Sequence, residues 1–230
     1  VLDCSCGIGT QAIGLASHGH HVTGTDLSPR AVARATREAV SRGVRLDTAA
    51  ADMRRLPFRD GRFDTVVCAD NSLPHLLTER DVRTALAETR RVLRPGGLLL
   101  VSTRPYDELL RDRPASTPPQ VHPHPDPSDG ADGAGGADGT DRGERTVTFQ
   151  LWHWHEDGEH YDLEHFQLLP ADAGEWRVRV RRTTYRALGR DRLTALAAEA
   201  GFVDLAWRTP QETGFFQQLL VARADGPADG

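Results

Sequence analysis

The fold is decided by the opening stretch VLDCSCGIGTQ, Val1 to Gln11. Apolar residues run into Asp3, and two glycines, Gly7 and Gly9, precede a helix-like segment beginning near Thr10. Glycine has no Cβ, so the backbone at both positions can turn sharply and lie close to a ligand. The first N–H groups of a helix have no partner within the helix and point into the same space. Such a turn suits a phosphate or a carboxylate equally well. Taken alone, it is compatible with a dinucleotide site, a nucleoside site or a plain tight turn.

Outward from this turn, strand and helix alternate. Val1–Cys4 reads as a strand, Thr10–His18 as a helix ended by Gly19, and His21–Thr25 as a second strand closed by Asp26. Ser28 caps the next helix, Pro29 takes its first position and Gly43 stops it. Val32, Ala35, Thr36, Ala39 and Val40 share its inner face. Val44–Ala50 and Phe63–Ala69 read as the third and fourth strands. A helix over Glu79–Leu93 shows Val82, Ala85, Leu86, Thr89 and Leu93 on one side. Arg94-Pro-Gly-Gly97 then turns the chain into Leu98–Ser102, a fifth strand apolar on both faces. Strands of this kind separated by amphipathic helices form a parallel sheet with right-handed crossovers.

From about Arg111 to Gly143 the chain is rich in Pro, Gly, Ala and Asp and nearly lacks large apolar side chains. Such a segment cannot bury enough surface to offset its ordering entropy, and a disordered loop is expected. Thr146–Trp154, His160–Leu169 and Glu175–Leu188 follow with period-two alternation, as three antiparallel strands would. A helix, Asp191–Ala200, and two strands, Phe202–Arg208 and Phe215–Ala222, complete the chain. The predicted fold is therefore α/β: a Rossmann-like, doubly wound, mostly parallel seven-stranded sheet with a small antiparallel β insertion after strand five. Residues 1–104 carry the ligand-binding core, 105–145 a mostly disordered loop, 146–188 the antiparallel β insertion, 189–223 the end of the core and 224–230 a disordered tail.

Composition narrows the function. The 230 residues make one ordinary domain with an insertion, and the net charge of −5 argues against a protein built to bind nucleic acid. No apolar run reaches the length of a membrane span and no signal peptide is visible. Three cysteines make no disulfide framework, which fits a reducing cytoplasm. A homo-oligomer is compatible with the sequence but not indicated by it.

Asp26 sharpens the reading of the first turn. It lies 23 residues after Asp3, at the carboxyl end of the second strand and beside the glycines. A carboxylate there accepts hydrogen bonds from ribose hydroxyls. A capping role is the alternative, but Ser28 already fills it. The third position of a G-x-G-x-x-G pattern is Ala12, which such sites tolerate. Asp3, four positions before the first glycine, is unwelcome next to a pyrophosphate and sensible next to an ammonium and a sulfonium. Asp52, after strand three, is placed to accept from an adenine amine, with Met53 against the ring.

Together Asp3, Gly7, Gly9, Asp26 and Asp52 resemble the class I S-adenosylmethionine-dependent methyltransferases. The resemblance covers residues 1–104, with Asp191–Ala222 supplying the expected last helix and strand pair. It implies S-adenosylmethionine as cofactor, with Cys4, Leu27, Met53 and Asp70 completing its binding surface. Methyl transfer from a sulfonium needs little more than an aligned, desolvated acceptor. The phrases ADNSLPHL (Ala69–Leu76) and STRPYD (Ser102–Asp107) are similar to glycine N-methyltransferase and related small-amine methyltransferases. That likeness implies that Asn71 helps hold the acceptor amine, that Arg104 clamps a carboxylate and that Tyr106 and Tyr185 line the acceptor pocket. Asp70 or His75 could take the amine's proton, or water could. It also implies an amino-terminal segment that closes over the site, which would precede Val1.

Each role has a plainer counterpart: Asn71 as a turn residue, His75 as a helix start, Arg104 as an ion-pair partner of Asp107 or Glu108. The same fold acting on a natural-product hydroxyl or a tRNA base, and a cofactor-binding but inactive partner subunit, stay open as alternatives. No metal is expected. His153 and His155 share a strand face, but Trp152 and Trp154 explain the pattern as packing. Cys4-x-Cys6 lacks a second pair, and Arg177, Arg179 and Arg181 read as a solvated strand face.

Overall fold

The computed structural model describes residues 1–123, 145–171 and 175–226. The chain divides into two compact units, residues 1–111 with the chain from Arg186 onward, and residues 112–185.

In the first unit the elements run β1 (Leu2–Asp3), α1 (Thr10–Ser17), β2 (Thr23–Asp26), α2 (Pro29–Ser41), β3 (Asp47–Ala50), β4 (Phe63–Cys68), α3 (Glu79–Val92), β5 (Leu93–Thr103) and α4 (Tyr106–Asp112). After the second unit come α5 (Arg190–Glu199), β10 (Phe202–Arg208), α6 (Pro210–Thr213) and β11 (Gln218–Ala224). One seven-stranded sheet has the order β10-β11-β5-β4-β1-β2-β3. β1 is parallel to both β2 and β4, β3 to β2, and β5 to β4. Only β11 runs against the others, antiparallel to β5 on one side and to β10 on the other. The sheet is thus the mostly parallel, Rossmann-like one expected. Chain direction switches sides at β1, which sits between β2 and β4, and in such sheets a crevice opens at the carboxyl ends of the strands.

Leu2, Val66, Leu99 and Leu220 from the central strands are fully buried, with Val82, Ala85 and Leu86 of α3 and Leu193 and Leu196 of α5 in the same core. Each large aliphatic side chain buried in this way contributes about 1.5–3 kcal/mol. Ser28 caps α2 by accepting from the Ala31 N–H at 3.3 Å, with Pro29 at the first position. Val32, Ala35 and Ala39 of α2 are buried, whereas Val40 is 73% exposed. At 3.6 residues per turn, Val40 lies about 80° around the helix from Val32, beyond the buried stripe.

Three local expectations are corrected. α3 stops at Val92, and Leu93 already pairs with Phe63, so Arg94–Gly97 is a bulge within β5 rather than a turn before it. The sequence reading has no helix at either α4 or α6. α6 is a single turn built around a capping box, in which Thr209 and Glu212 each bond the other's backbone N–H. β11 begins at Gln218, leaving Phe215 and Phe216 outside it, with Phe216 exposed.

The second unit is a four-stranded sheet, β6 (Gln120–Pro123), β7 (Arg145–Trp154), β8 (His160–Pro170) and β9 (Trp176–Arg186), in that order. β7 pairs antiparallel with β8 from Val147–Leu168 to Trp154–Tyr161. The segment 105–145, read as mostly disordered, contains α4 and β6. β6 pairs with β7 from Gln120–Thr148 to Pro123–Arg145, and Thr117 and Ala115 also bond the β7 backbone. The order comes from backbone hydrogen bonds to a sheet edge while the β6 side chains stay exposed, and such pairing leaves no apolar pattern. The remainder of that loop, residues 124–144, and residues 227–230 of the expected tail lie outside the described residues.

Trp152 and Tyr161 stack at 4.6 Å, and Tyr161 on Tyr185 at 5.5 Å. His153 and His155 face Glu164 at 3.6 Å and Asp162 at 3.2 Å. Among the described residues no group of three or more His, Cys, Asp or Glu side chains is placed to hold a metal ion. Arg177, Arg179 and Arg181 are exposed. No helix among the described residues is long and apolar enough to cross a membrane.

Candidate functional site

The opening turn is built from two left-handed glycines. Gly7 has φ 53° and Gly9 φ 96°, conformations that L side chains avoid. At Gly9 a Cβ would also lie 2.9 Å from Ile13 Cδ1 and 3.1 Å from Ala35 Cβ, so its absence lets α1 approach α2. At Gly7 a Cβ would meet nothing within 4 Å, and that face of the backbone is open. Gly9 caps α1 without a side-chain hydrogen bond, so the first N–H groups of the helix receive none from a cap.

Asp26, at the end of β2, ties this turn to the next one. Its Oδ2 accepts from the Gly7 N–H at 2.9 Å and its Oδ1 from the Ser28 N–H at 2.8 Å. Each oxygen keeps a lone pair for a hydroxyl donor. Asp3, at the end of β1, is only 1% exposed and accepts from the Ser5 N–H at 3.3 Å. Burial, supplemented by the nearby Asp70 and Asp26 charges, pushes its carboxyl up to about 7. A buried acid among other acids is a position that a cation would relieve.

Next to these lies a cavity of about 650 Å³ lined by Cys4, Asp26, Leu27, Asp52, Met53 and His75 among others. Leu27 is 70% exposed at its edge. Both Asp52 oxygens are held by Arg54, at 3.1 and 2.7 Å, and that hydrogen bonding lowers the carboxyl below its ordinary range. Arg54 reaches on to Asp81 at 3.2 Å. Cys4 hydrogen-bonds Cys68, which together with burial raises its thiol, and burial pushes Cys6 up to about 12. Neither is therefore a nucleophile at neutral pH. A larger hollow of about 880 Å³ lies near Val1, Gly19 and Phe63, at the amino-terminal edge of the strands, the opposite end from the crevice.

Across the switch point, β4 ends in two consecutive non-glycine residues with left-handed backbone, Asp70 at φ 56° and Asn71 at φ 61°. Each such residue costs about 1–3 kcal/mol unless its surroundings impose it. The Asp70 N–H donates to Ser102 Oγ at 2.8 Å, the Asn71 N–H to the Ser102 carbonyl at 3.3 Å, and Asn71 Oδ1 accepts from the Arg104 N–H at 3.1 Å. Asn71 is 3% exposed, and its Nδ2 has no hydrogen-bond partner. Gln11 Nε2 donates to Asp70 Oδ1 at 3.4 Å, joining the two halves. His75 sits in a single 3-10 turn, Leu73–His75. Burial first, then the Arg104 charge, lowers its pKa.

Residues 1–97 match the family model for a methyltransferase domain. Residues 1–97 are a methyltransferase domain. Over 112 residues the chain is 46% identical to a glycine/sarcosine N-methyltransferase of Parasynechococcus marenigrum, covering 48% of this chain and 39% of the relative. It is 38% identical to one from Halorhodospira halochloris, covering 48% and 41%. The match thus spans about two fifths of these curated relatives' length. A solved amino pentose methyltransferase from Micromonospora echinaspora, with S-adenosylmethionine bound, superposes with TM-score 0.69 at 24% identity, over 97% of this chain and 82% of that one. That likeness is one of fold.

The methyltransferase cofactor is S-adenosylmethionine, and the residues present fit it. The open backbone at Gly7, the carboxylate of Asp26 and the buried acid Asp3 are the partners that an aminoacyl sulfonium nucleoside requires, and the cavity beside Met53 has room for a base.

The structure brings together Asp3, Cys4, Gly7, Gly9, Asp26, Leu27, Asp52, Met53, Asp70, Asn71, His75 and Arg104 at the carboxyl edge of the sheet. It does not bring Tyr106 into a pocket wall. Tyr106 is fully buried, its N–H donating to the Arg104 carbonyl at 2.8 Å at the start of α4. Tyr185 belongs to the second unit, where it stacks on Tyr161. Sequence reasoning missed Ser5, Arg54 and Asp81 around the cavity and Ser102 beneath Asp70. Arg54 adjoins Asp52 in sequence and could have been read as its partner, whereas Ser102 carries no local signal.

Proposed function

We propose that this domain transfers a methyl group from S-adenosylmethionine to the nitrogen of a small amine that also bears a carboxylate, of the glycine or sarcosine type. The observation that carries the reading is the cluster of Asn71, His75 and Arg104 beside the cofactor cavity. The names of the 46% and 38% identical relatives support it. S-adenosylmethionine supplies an activated methyl group on a positively charged sulfur.

On this reading the carboxylate of Asp26 receives the ribose hydroxyls, and Asp52, Met53 and Leu27 border the base. Gly7, Gly9 and Cys4 form the floor under the nucleoside, and Asp3 and Asp70 offset the positive charge. Arg104 grips the substrate carboxylate, whose planar pair of oxygens matches its guanidinium. Asn71 helps hold the acceptor amine. Its Oδ1 accepts from the Arg104 N–H and keeps a second lone pair for an N–H of the amine. The amine reacts as the free base, its lone pair forming the new N–C bond as the C–S bond breaks. His75 is held neutral and can accept the displaced proton.

The test is transfer of labelled methyl to a panel containing glycine, sarcosine, dimethylglycine, an amino sugar, a catechol and tRNA. Label on the nitrogen of glycine or sarcosine is expected. Arg104→Met should raise the acceptor KM about tenfold or more, the loss of a charged hydrogen bond, with cofactor affinity intact. Label found only on hydroxyls or RNA would contradict the reading, as would cofactor binding without transfer to any acceptor.

A further inference from the structure

The left-handed turn at Asp70–Asn71 needs an explanation that its own residues do not give. Asp and Asn tolerate such backbone better than most residues, yet two in succession persist only where neighbours impose them. The two backbone N–H groups of the turn are both held by Ser102, near the end of β5. Its hydroxyl accepts from the Asp70 N–H at 2.8 Å and its carbonyl from the Asn71 N–H at 3.3 Å. A serine hydroxyl has one proton, and where that proton points decides where its lone pairs point. Here it is donated to Gln217 Oε1 at 2.8 Å. Ser102 is itself 1% exposed, so this proton has no water to turn to. The neighbouring Gln218 secures the far side of the same corner, its Nε2 donating to the Arg104 carbonyl at 2.9 Å.

We infer that Gln217 is a positioning residue for the acceptor site: through Ser102 it orients the hydroxyl that holds Asp70–Asn71 left-handed and so presents the Asn71 amide beside Arg104. The inference rests on the reading of Asn71 and Arg104 as acceptor-binding groups. Gln217 lies 146 positions from Asn71 in sequence, just before β11; it is not part of the lining of the cofactor cavity, and its hydrogen bond is to Ser102. The antiparallel strand pair that closes the sheet thereby acts on the acceptor half of the site and leaves the glycine turn alone.

Two variants test it. Gln217→Met keeps the length of the side chain and removes the acceptor, whereas Gln217→Glu keeps an acceptor oxygen. Amide hydrogen exchange in the whole protein reads the turn without reference to any substrate. In Gln217→Met the Asp70 and Asn71 amides should exchange about tenfold faster or more, while Val66 and Val67 in β4 keep their rates. In the transfer assay the same variant should raise acceptor KM about tenfold with S-adenosylhomocysteine affinity within about twofold of wild type. Gln217→Glu should restore both. Unchanged exchange at Asp70 and Asn71 in Gln217→Met would overturn the inference, and so would a loss shared equally by cofactor and acceptor. Should the wild type methylate no amine at all, the functional reading falls, and exchange still decides whether Gln217 holds the turn.

Discussion

The two halves of the crevice reach the same end by different means. On the cofactor side the chain turns left-handed at Gly7 and Gly9, where the conformation is nearly free. On the acceptor side it turns left-handed at Asp70 and Asn71, where side chains make the conformation costly and Ser102 must hold it. The first arrangement needs no side chain in the turn itself, and its partners, Asp26 and Ala35, come from the next strand and helix. The second places a polar side chain at the tip of the turn, as glycine cannot, and depends on strands far away in sequence. On the proposed reading, one half serves backbone recognition and the other side-chain recognition.

The comparison breaks most visibly at Gly9. Gly9→Val puts a branched Cβ into left-handed backbone and against Ile13 and Ala35, which should destabilise the fold by about 2–4 kcal/mol in urea denaturation. A loss below about 0.5 kcal/mol would mean that the turn is not constrained as described.

Asp3 sharpens the same contrast through pH. Its folded pKa of about 7 stands above its ordinary 3.8. The folded state therefore holds a proton that the unfolded state releases. The stability from Asp3 is fully present below the ordinary value and is lost as pH rises through 7. Asp3→Asn should erase that loss, leaving the variant more stable than wild type at pH 8 by up to a few kcal/mol and nearly equal to it near pH 4. S-adenosylmethionine should close the gap at pH 8, because its cation favours the ionised acid. A gap that does not change with pH would count against a buried, perturbed Asp3.

Asp26 comes next. Asp26→Ala frees the Gly7 and Ser28 N–H groups and removes the ribose acceptor, so affinity for S-adenosylhomocysteine should fall by about 1.5–3 kcal/mol by calorimetry. The smallest effect in stability is expected at the other half. Asn71→Gly relieves strain at φ 61° and should change stability by about 1 kcal/mol or less in either direction, since the side-chain bond to Arg104 is lost at the same time. It should nevertheless raise the acceptor KM while leaving cofactor affinity unchanged. Equal damage to both affinities would show that the two halves are not separable.

What was legible in the sequence follows the same division. Glycine spacing, a Ser28–Pro29 helix start and an Asp at the end of a strand are local signals, and the structure places Gly7, Gly9, Asp26 and Asp52 together around one turn and cavity. The parallel order of the sheet was legible because doubly buried strands such as Leu98–Ser102 alternate with amphipathic helices. β6 was not, since its order comes from pairing with the backbone of β7 and not from its own side chains. Neither was the amide orientation of Asn71, which the Arg104 N–H fixes, nor the dependence of Asp70 on Ser102 and of Ser102 on Gln217. Tyr106 shows the converse limit: a residue in a suggestive phrase, adjacent to the site in sequence, turns inward as α4 begins.

The most direct test is calorimetric titration of the purified protein with S-adenosylhomocysteine, alongside the Asp26→Ala variant. Saturable one-to-one binding by wild type, weakened at least about tenfold in the variant, is the expected result. Absence of binding by folded wild-type protein, or equal affinity in the two, would contradict a nucleoside site at the glycine turn.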